Sequence, residues 1–275
     1  MWNLTEIIRP PTLAEAVRLL RRPNVKTAIL AGGTALVPQV RRDVQALVDL
    51  RELKLSYIKR EAGALRIGAT TTLEELASSS DVLPVLAQAA HASAPINLRN
   101  AATIGGVLAS DVSNAPLPVV LLALDAVLVI YAPEARQSPF ASFLAFRDKM
   151  LKDSTLIAEV DVPLTDARIA FEQVARTPSD APIVCSAAKL RLDGGTAHDV
   201  RVAVGGVGPL PVRLARAEQT LEGKALSEAL IAQAAEAAAQ EVKPLSDFLA
   251  SSEYRREMVK VLVRRAIGRQ VGEPK

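Results

Sequence analysis

Two glycine pairs constrain this chain more than any other feature. Residues 30–38 read LAGGTALVP and residues 103–107 read TIGGV, and each pair follows a strand or an extended segment. Glycine turns tightly, takes positive φ and lets another backbone approach closely, so one Gly-Gly turn serves many purposes. Two of them in one domain, each beside a threonine hydroxyl (Thr34 and Thr103), can aim unpaired amides into one crevice. That arrangement binds a diphosphate without a lysine.

Competing motifs can be checked directly. There is no G-x-x-x-x-G-K-[ST], and neither pair extends to G-x-G-x-x-G, so neither a P-loop nor a Rossmann fingerprint is supported. GGVGPLP at 205–211 follows a strand, but its prolines read as a structural exit turn. No G-x-S-x-G and no nucleophile with a histidine at recognisable spacing is present, and no side chain stands out as catalytic.

The rest of the sequence punctuates clearly. Residues 11–22 predict a short amphipathic helix with Thr12 as N-cap. KTAIL, the first glycine turn and residues 34–43 read as strand, turn and short helix, with Pro38 tolerated in the first turn. QALVDL is a buried strand. ALRIGATTTLEELAS is a strand running into a helix capped near Thr72, with Glu74 and Glu75 in its first turn. Residues 81–94 are a helix, and PLPVVLLALDAVLVIYA is a helix ending near Asp125 and then a strand. Residues 133–155 read as a loop and a connecting helix. Beyond them IAFEQVAR, IVCSAAKLRLDGG and DVRVAVGGVG read as successive antiparallel strands, with LDGG as a hairpin signal. The last 65 residues are helical. In the final helix Met258, Leu262 and Ala266 mark the core face, while Arg255, Arg256, Lys260, Arg264, Arg265 and Arg269 mark a solvated one.

Composition narrows the function. A chain of 275 residues with 49% hydrophobic content buries a real core, divisible between two domains. Cys185 is the single cysteine and His91 and His198 the only histidines, which leaves no thiolate cluster and no histidine pair for a resident metal. Aromatic residues are 3% and the net charge is +3, against a stacking platform for nucleic acid. The start lacks a signal-peptide pattern and no apolar run is long enough to insert in a membrane, so a cytoplasmic location is expected.

LAGGTALVP, IGATTTLEEL, NLRNAATIGGVLA, PLPVVLLALDA, RVAVGGVGPLPVRL and SSEYRREMVKVLVRRA, in that order from about residue 3 to about residue 270, together resemble the FAD-binding (medium) subunit of the molybdenum hydroxylases of carbon monoxide dehydrogenase and xanthine dehydrogenase type. The resemblance implies an α+β fold. Residues 1–167 would be an FAD-binding domain of the vanillyl-alcohol-oxidase-like (PCMH) kind, with two α/β subdomains at about 1–55 and 56–167. Residues 168–275 would be a smaller domain with an antiparallel three-stranded sheet and a helical bundle. It also implies FAD here, with molybdopterin in a large partner subunit, two-iron two-sulfur clusters in a small one, and electrons leaving through the flavin to an acceptor.

Carried over by position, Ala31, Gly32, Gly33, Thr34, Ala35 and Leu36 fall on the first flavin loop, and Thr103, Ile104, Gly105, Gly106 and Val107 on the second. Their amides would enclose the diphosphate. Ser110 falls where a small polar residue approaches the cofactor, and residues 180–184 match the region near the flavin ring. Three positions depart from the pattern: Ala35 and Val107 stand where polar residues are usual, and Pro116 stands where an aspartate bonds the cofactor. These departures raise an alternative, a relative that keeps the fold as a scaffold or assembly subunit and binds no flavin.

Overall fold

A computed structural model describes residues 3–39, 42–132, 134–152, 155–177 and 180–271. The first helix, Leu13–Leu20, begins at its expected cap: the Thr12 hydroxyl accepts from the Glu15 amide. It packs Ala16, Val17 and Leu19 into one cluster with Val48 and Leu50. The strands beneath it are Glu6–Ile8, Thr27–Leu30 and Ala46–Asp49, all parallel, with Ala46–Asp49 in the middle. That central strand is buried along its whole length, which is why QALVDL reads as a near-continuous apolar run.

The second sheet is antiparallel, in the order Ile58–Glu61, Ala64–Gly68, Leu156–Pro163, Val127–Tyr131, Ala135–Pro139. Leu65, Ile67, Leu128, Ile130, Val160 and Val162 alternate onto its core face. The helix Leu73–Ser78 opens with a capping box, in which Thr72 and Glu75 satisfy each other's orphan amides. These two sheets, with residues up to Val82, Ile96–Ser110 and Asp125–Pro163, form one compact unit. Within residues 133–155 the described part contains a strand, Ala135–Pro139, where the sequence suggests only loop and helix. It pairs on one side alone and exposes four of its five residues, so it lacks the apolar alternation that would have announced it. Residues 34–38 form a turn and not the expected helix.

The second unit draws on Leu83–Pro95, Asp111–Leu124 and the chain from Leu164 onward. Its sheet has three long antiparallel strands, Arg168–Val174, Val184–Asp193 and Thr196–Gly205, with the two-residue strand Val212–Arg213 on the edge. The LDGG signal does mark a hairpin, with Asp193 opposite Thr196 and both glycines at positive φ. Val184, Ala188, Leu190, Val202 and Val204 share a core with Ala234, Ala238, Val259 and Leu262 of the helices Glu228–Glu241 and Ser252–Val271. On the alternate positions Gly205 lies against Val119 of the wholly buried helix Pro116–Ala123. Pro116 occupies the first turn of that helix, where its missing amide costs nothing. Cys185 is fully buried, and burial pushes its thiol up to about 12, so it is a packing residue.

Arg256, Arg264, Arg265 and Arg269 are exposed as the solvated face expects, but Arg255 is not. It is 5% exposed: Nη1 donates to the Ile183 carbonyl at 2.8 Å and the Gly206 carbonyl at 2.7 Å, and Nη2 to the two carboxylate oxygens of Asp247 at 2.8 and 2.7 Å. Position 255 lies on the same stripe as Val259, Leu262 and Ala266. A helical pattern cannot distinguish an arginine whose two terminal nitrogens find acceptors inside from one in water. Arg269 and Lys260 sit nearer the surface and pair with Glu172 (2.6 Å) and Glu236 (2.7 Å).

Two outcomes follow from this packing. Replacing Arg255 with Met strands the Ile183 and Gly206 carbonyls in the interior, and urea unfolding should show a loss of about 2–4 kcal/mol; a change below about 0.5 kcal/mol would contradict the brace. The second concerns Asp161, which burial and the neighbouring Glu159 carboxylate push up to about 6 against the opposing pull of Arg66. Lysine and tyrosine neighbours at this face are Lys59 and Tyr57, the latter donating to Glu159 at 2.6 Å. Because the folded-state pKa lies above the ordinary 3.8, the stabilisation is complete at low pH and is lost as pH rises through about 6. Unfolding free energy should therefore fall between about pH 4 and 6 in the natural protein, and Asp161→Asn should flatten that slope.

Candidate functional site

The parallel strand Thr27–Leu30 delivers the chain to the first glycine loop, at the carboxyl end of its sheet, where open α/β sheets place ligands. Gly33 has φ +73°, and the Val37 amide closes the turn on the Gly33 carbonyl at 2.9 Å. Among the described residues no protein group accepts from the amides of Gly32, Gly33, Thr34, Ala35 or Leu36. Successive free amides around a residue at positive φ make an anion-receiving nest. Ala35 is exposed, and the others are half-buried.

The second loop lies against the first. A Cβ at Gly32 would stand 1.7 Å from the Ala101 carbonyl oxygen, so only glycine permits this approach. Gly105 is pressed in the same way on Ala69, where a Cβ would stand 2.9 Å from both its carbonyl oxygen and its methyl carbon. Hydrogen bonds then fix the loop: the Leu73 amide donates to Ala102 at 2.8 Å, and the Ile104 and Gly105 amides donate to Thr71 and Ala69, both at 2.9 Å. Thr103 caps the helix Ile104–Ala109, its hydroxyl accepting from Gly106 at 3.1 Å and its carbonyl from Val107 at 2.9 Å. Arg99, buried at 6% exposure, pairs with Glu74 at 2.7 Å and braces the segment leading in.

The two loops therefore differ in what they can offer. All four amides from Ile104 to Val107 already have protein acceptors, whereas those of 32–36 have none. What the second loop adds is the Thr103 hydroxyl proton, for which the described residues supply no acceptor. Ser110 donates its hydroxyl to the Val107 carbonyl at 3.0 Å. Pro116 and residues 180–184 belong to the second unit, where Asn114 Nδ2 donates to Pro182 at 2.8 Å and Asp111 accepts from the Ser113 amide at 3.0 Å.

Asp49 is a residue that the sequence pattern hides. It ends the central strand, opposite Leu30, and is 1% exposed. Burial alone would raise its pKa, but the Arg51 amide and the guanidinium groups of Arg9 and Arg51, each 3.1 Å away, hold the carboxyl below the usual range. The ionised carboxylate is thus favoured at the end of the central strand, beside Leu30. The signal was an aspartate inside the otherwise apolar run ALVDL, with Arg51 two residues on.

Comparison with known proteins matches two family models in succession along the chain. The family model described as the FAD binding domain in molybdopterin dehydrogenase matches residues 3–165, and that of the CO dehydrogenase flavoprotein C-terminal domain matches residues 169–270. The glyceraldehyde dehydrogenase medium chain of Sulfolobus acidocaldarius is 30% identical over 94% of this chain and 95% of its own. The xanthine dehydrogenase FAD-binding subunit of Escherichia coli O157:H7 is 30% identical over 98% and 97%. Among solved structures, a chain of the carbon monoxide dehydrogenase from Hydrogenophaga pseudoflava superposes with a TM-score of 0.89 at 30% identity, covering 98% of this chain and 97% of that one.

If the loop contact is as tight as the geometry states, Gly32→Ala must drive the loops apart. Thermal or urea unfolding should show a loss of about 1–3 kcal/mol, while Ala35→Ser at the exposed neighbour should stay within about 0.5 kcal/mol. Equal stability of the two variants would contradict the contact.

Proposed function

The chain belongs to the FAD-binding medium-subunit family of the molybdenum hydroxylases, and we propose that it holds one FAD between its two glycine loops as the electron outlet of a heteromeric complex. It is an oxidoreductase subunit of the dehydrogenase type. The observation that carries the cofactor reading is the run of five amides, Gly32 to Leu36, without protein acceptors. A diphosphate supplies acceptors for such a run, and the Thr103 hydroxyl proton adds another donor.

In this reading Gly32, Gly33, Thr34, Ala35 and Leu36 bind the diphosphate, Thr103 donates to it, and the Ile104–Val107 segment keeps the first loop in place. Bound FAD supplies the redox chemistry that joins one-electron iron–sulfur clusters to an external acceptor. This chain contributes position and environment and has no need of an acid or base. The substrate would be oxidised at a molybdopterin in a large subunit, and the clusters would lie in a small one. Relatives named as medium chains, and as a subunit of the 6-hydroxypseudooxynicotine dehydrogenase complex in Paenarthrobacter nicotinovorans, support that assignment of partners.

The flavin-free scaffold reading is not favoured. Ala35, Val107 and Pro116 remove side-chain partners, worth about 0.5–1.5 kcal/mol each, but leave the first-loop amides untouched. The purified protein should show a flavin absorption spectrum and release FAD on denaturation. A colourless protein that also fails to take up added FAD would reinstate the scaffold.

A further inference from the structure

Strand parity puts the buried Asp49 on the same side of the parallel sheet as the first glycine loop. Ile8, Val48 and Ile29 are neighbours in register and pack into the cluster that the first helix covers. The next residues on two of these strands, Asp49 and Leu30, therefore point to the opposite face. Arg9, which follows Ile8, joins them there, its Nε donating to Asp49 Oδ2 at 3.1 Å. The first loop folds back on this face as well: a Cβ at Gly33 would stand 3.4 Å from Leu30 Cδ1. Leu30 and Asp49 are register partners, so the carboxylate lies about one strand spacing, ~5 Å, beside the residue on which Gly33 rests.

Two arginines share that carboxylate unequally. Arg51 closes on it through its amide at 3.1 Å, its Nε at 3.3 Å and its Nη2 at 3.1 Å, whereas Arg9 reaches it through Nε alone. Both Nη nitrogens of Arg9, four N–H groups in a rigid fork, have no acceptor among the described residues, and the side chain is half-exposed. Net charge does not single it out. Residues 9–18, 31–38 and 49–54 leave the three strands at this end of the sheet, and in them Arg9, Arg18, Arg51 and Lys54 stand against Glu15, Asp49 and Glu52. Arg18 pairs with Glu15 on the surface, Arg51 clasps Asp49, and Lys54 and Glu52 are exposed. Arg9 differs in being held by a buried carboxylate through a single bond that leaves its terminal fork open. A cation fixed in this way needs no reorganisation to meet an anion.

We propose that Arg9, pinned at Nε by Asp49, is the fixed positive charge that faces the FAD diphosphate on the first loop, and that Asp49 is the residue that positions it. The inference rests on the FAD reading above and adds a cation to a site otherwise made of amides. One to two strand spacings, about 5–10 Å, separate the guanidinium from that loop, which is within a Debye length at about 0.1 M salt. The test is equilibrium binding of FAD to the full-length chain stripped of flavin, at about 0.05 and 0.5 M sodium chloride, for wild type, Arg9→Gln and Arg9→Lys, with melting temperatures measured alongside. Arg9→Gln should weaken FAD about tenfold at the lower salt and about threefold or less at the higher, because a charge is screened and a packing contact is not. Arg9→Lys keeps the charge and should stay within about threefold of wild type. An Arg9→Gln loss of equal size at both salt concentrations would make Arg9 a brace of the sheet and overturn the assignment. Unchanged FAD affinity in the folded variant would overturn it too, and either result leaves the flavin reading standing. If Arg9→Gln does not fold, Arg9→Lys decides alone, and a loss of about tenfold or more in it overturns the assignment. Wild type that takes up no FAD at either salt concentration overturns the flavin reading and this inference with it.

Discussion

The contact on which the site depends is the approach of Gly32 to the Ala101 carbonyl oxygen, too close for any side chain at that position. It sets two loops, almost seventy residues apart in sequence, against each other in one unit. From it follows a division of labour. The second loop is spent on structure, with its amides bonded to Thr71, Ala69 and Thr103, and it can therefore act as a firm wall. The first loop, held by that wall and by the Val37 turn, keeps its amides for something other than protein. Free donors on a rigid backbone are what an anion needs, because they require no reorganisation when it arrives.

Much of this was legible beforehand. Thr12 and Thr72 marked helix starts because a cap is local chemistry, three residues long. The LDGG hairpin and the three long strands of the second unit were legible for the same reason: turn type and alternation are read within a dozen residues. The glycine pairs were conspicuous, and the resemblance placed them. What the sequence could not show was the asymmetry between them, since TIGGV and AGGTA look equally able to offer amides. Whether an amide is free depends on which carbonyl lies opposite, and those of Ala69 and Thr71 arrive from another segment.

Misreadings had similar causes. Arg255 was assigned to water because arginine usually is, and its acceptors, Ile183, Gly206 and Asp247, lie 72, 49 and 8 residues away. The strand Ala135–Pro139 was missed because an edge strand has no apolar face to display. Asp49 was overlooked because a carboxylate at the end of a buried strand reads as a boundary, and only its two arginine partners show it to be an anchor. In each the deciding partner lies outside the element whose pattern is read.

The most direct test of the account is amide hydrogen exchange of the chain, resolved to short peptides, with FAD removed and then restored. If the first-loop amides hold the diphosphate, residues 32–36 exchange fast without FAD and become protected with it, while residues 104–107 are slow in both states. Protection confined to residues 104–107, or none at 32–36 in a protein that has taken up FAD, would contradict it.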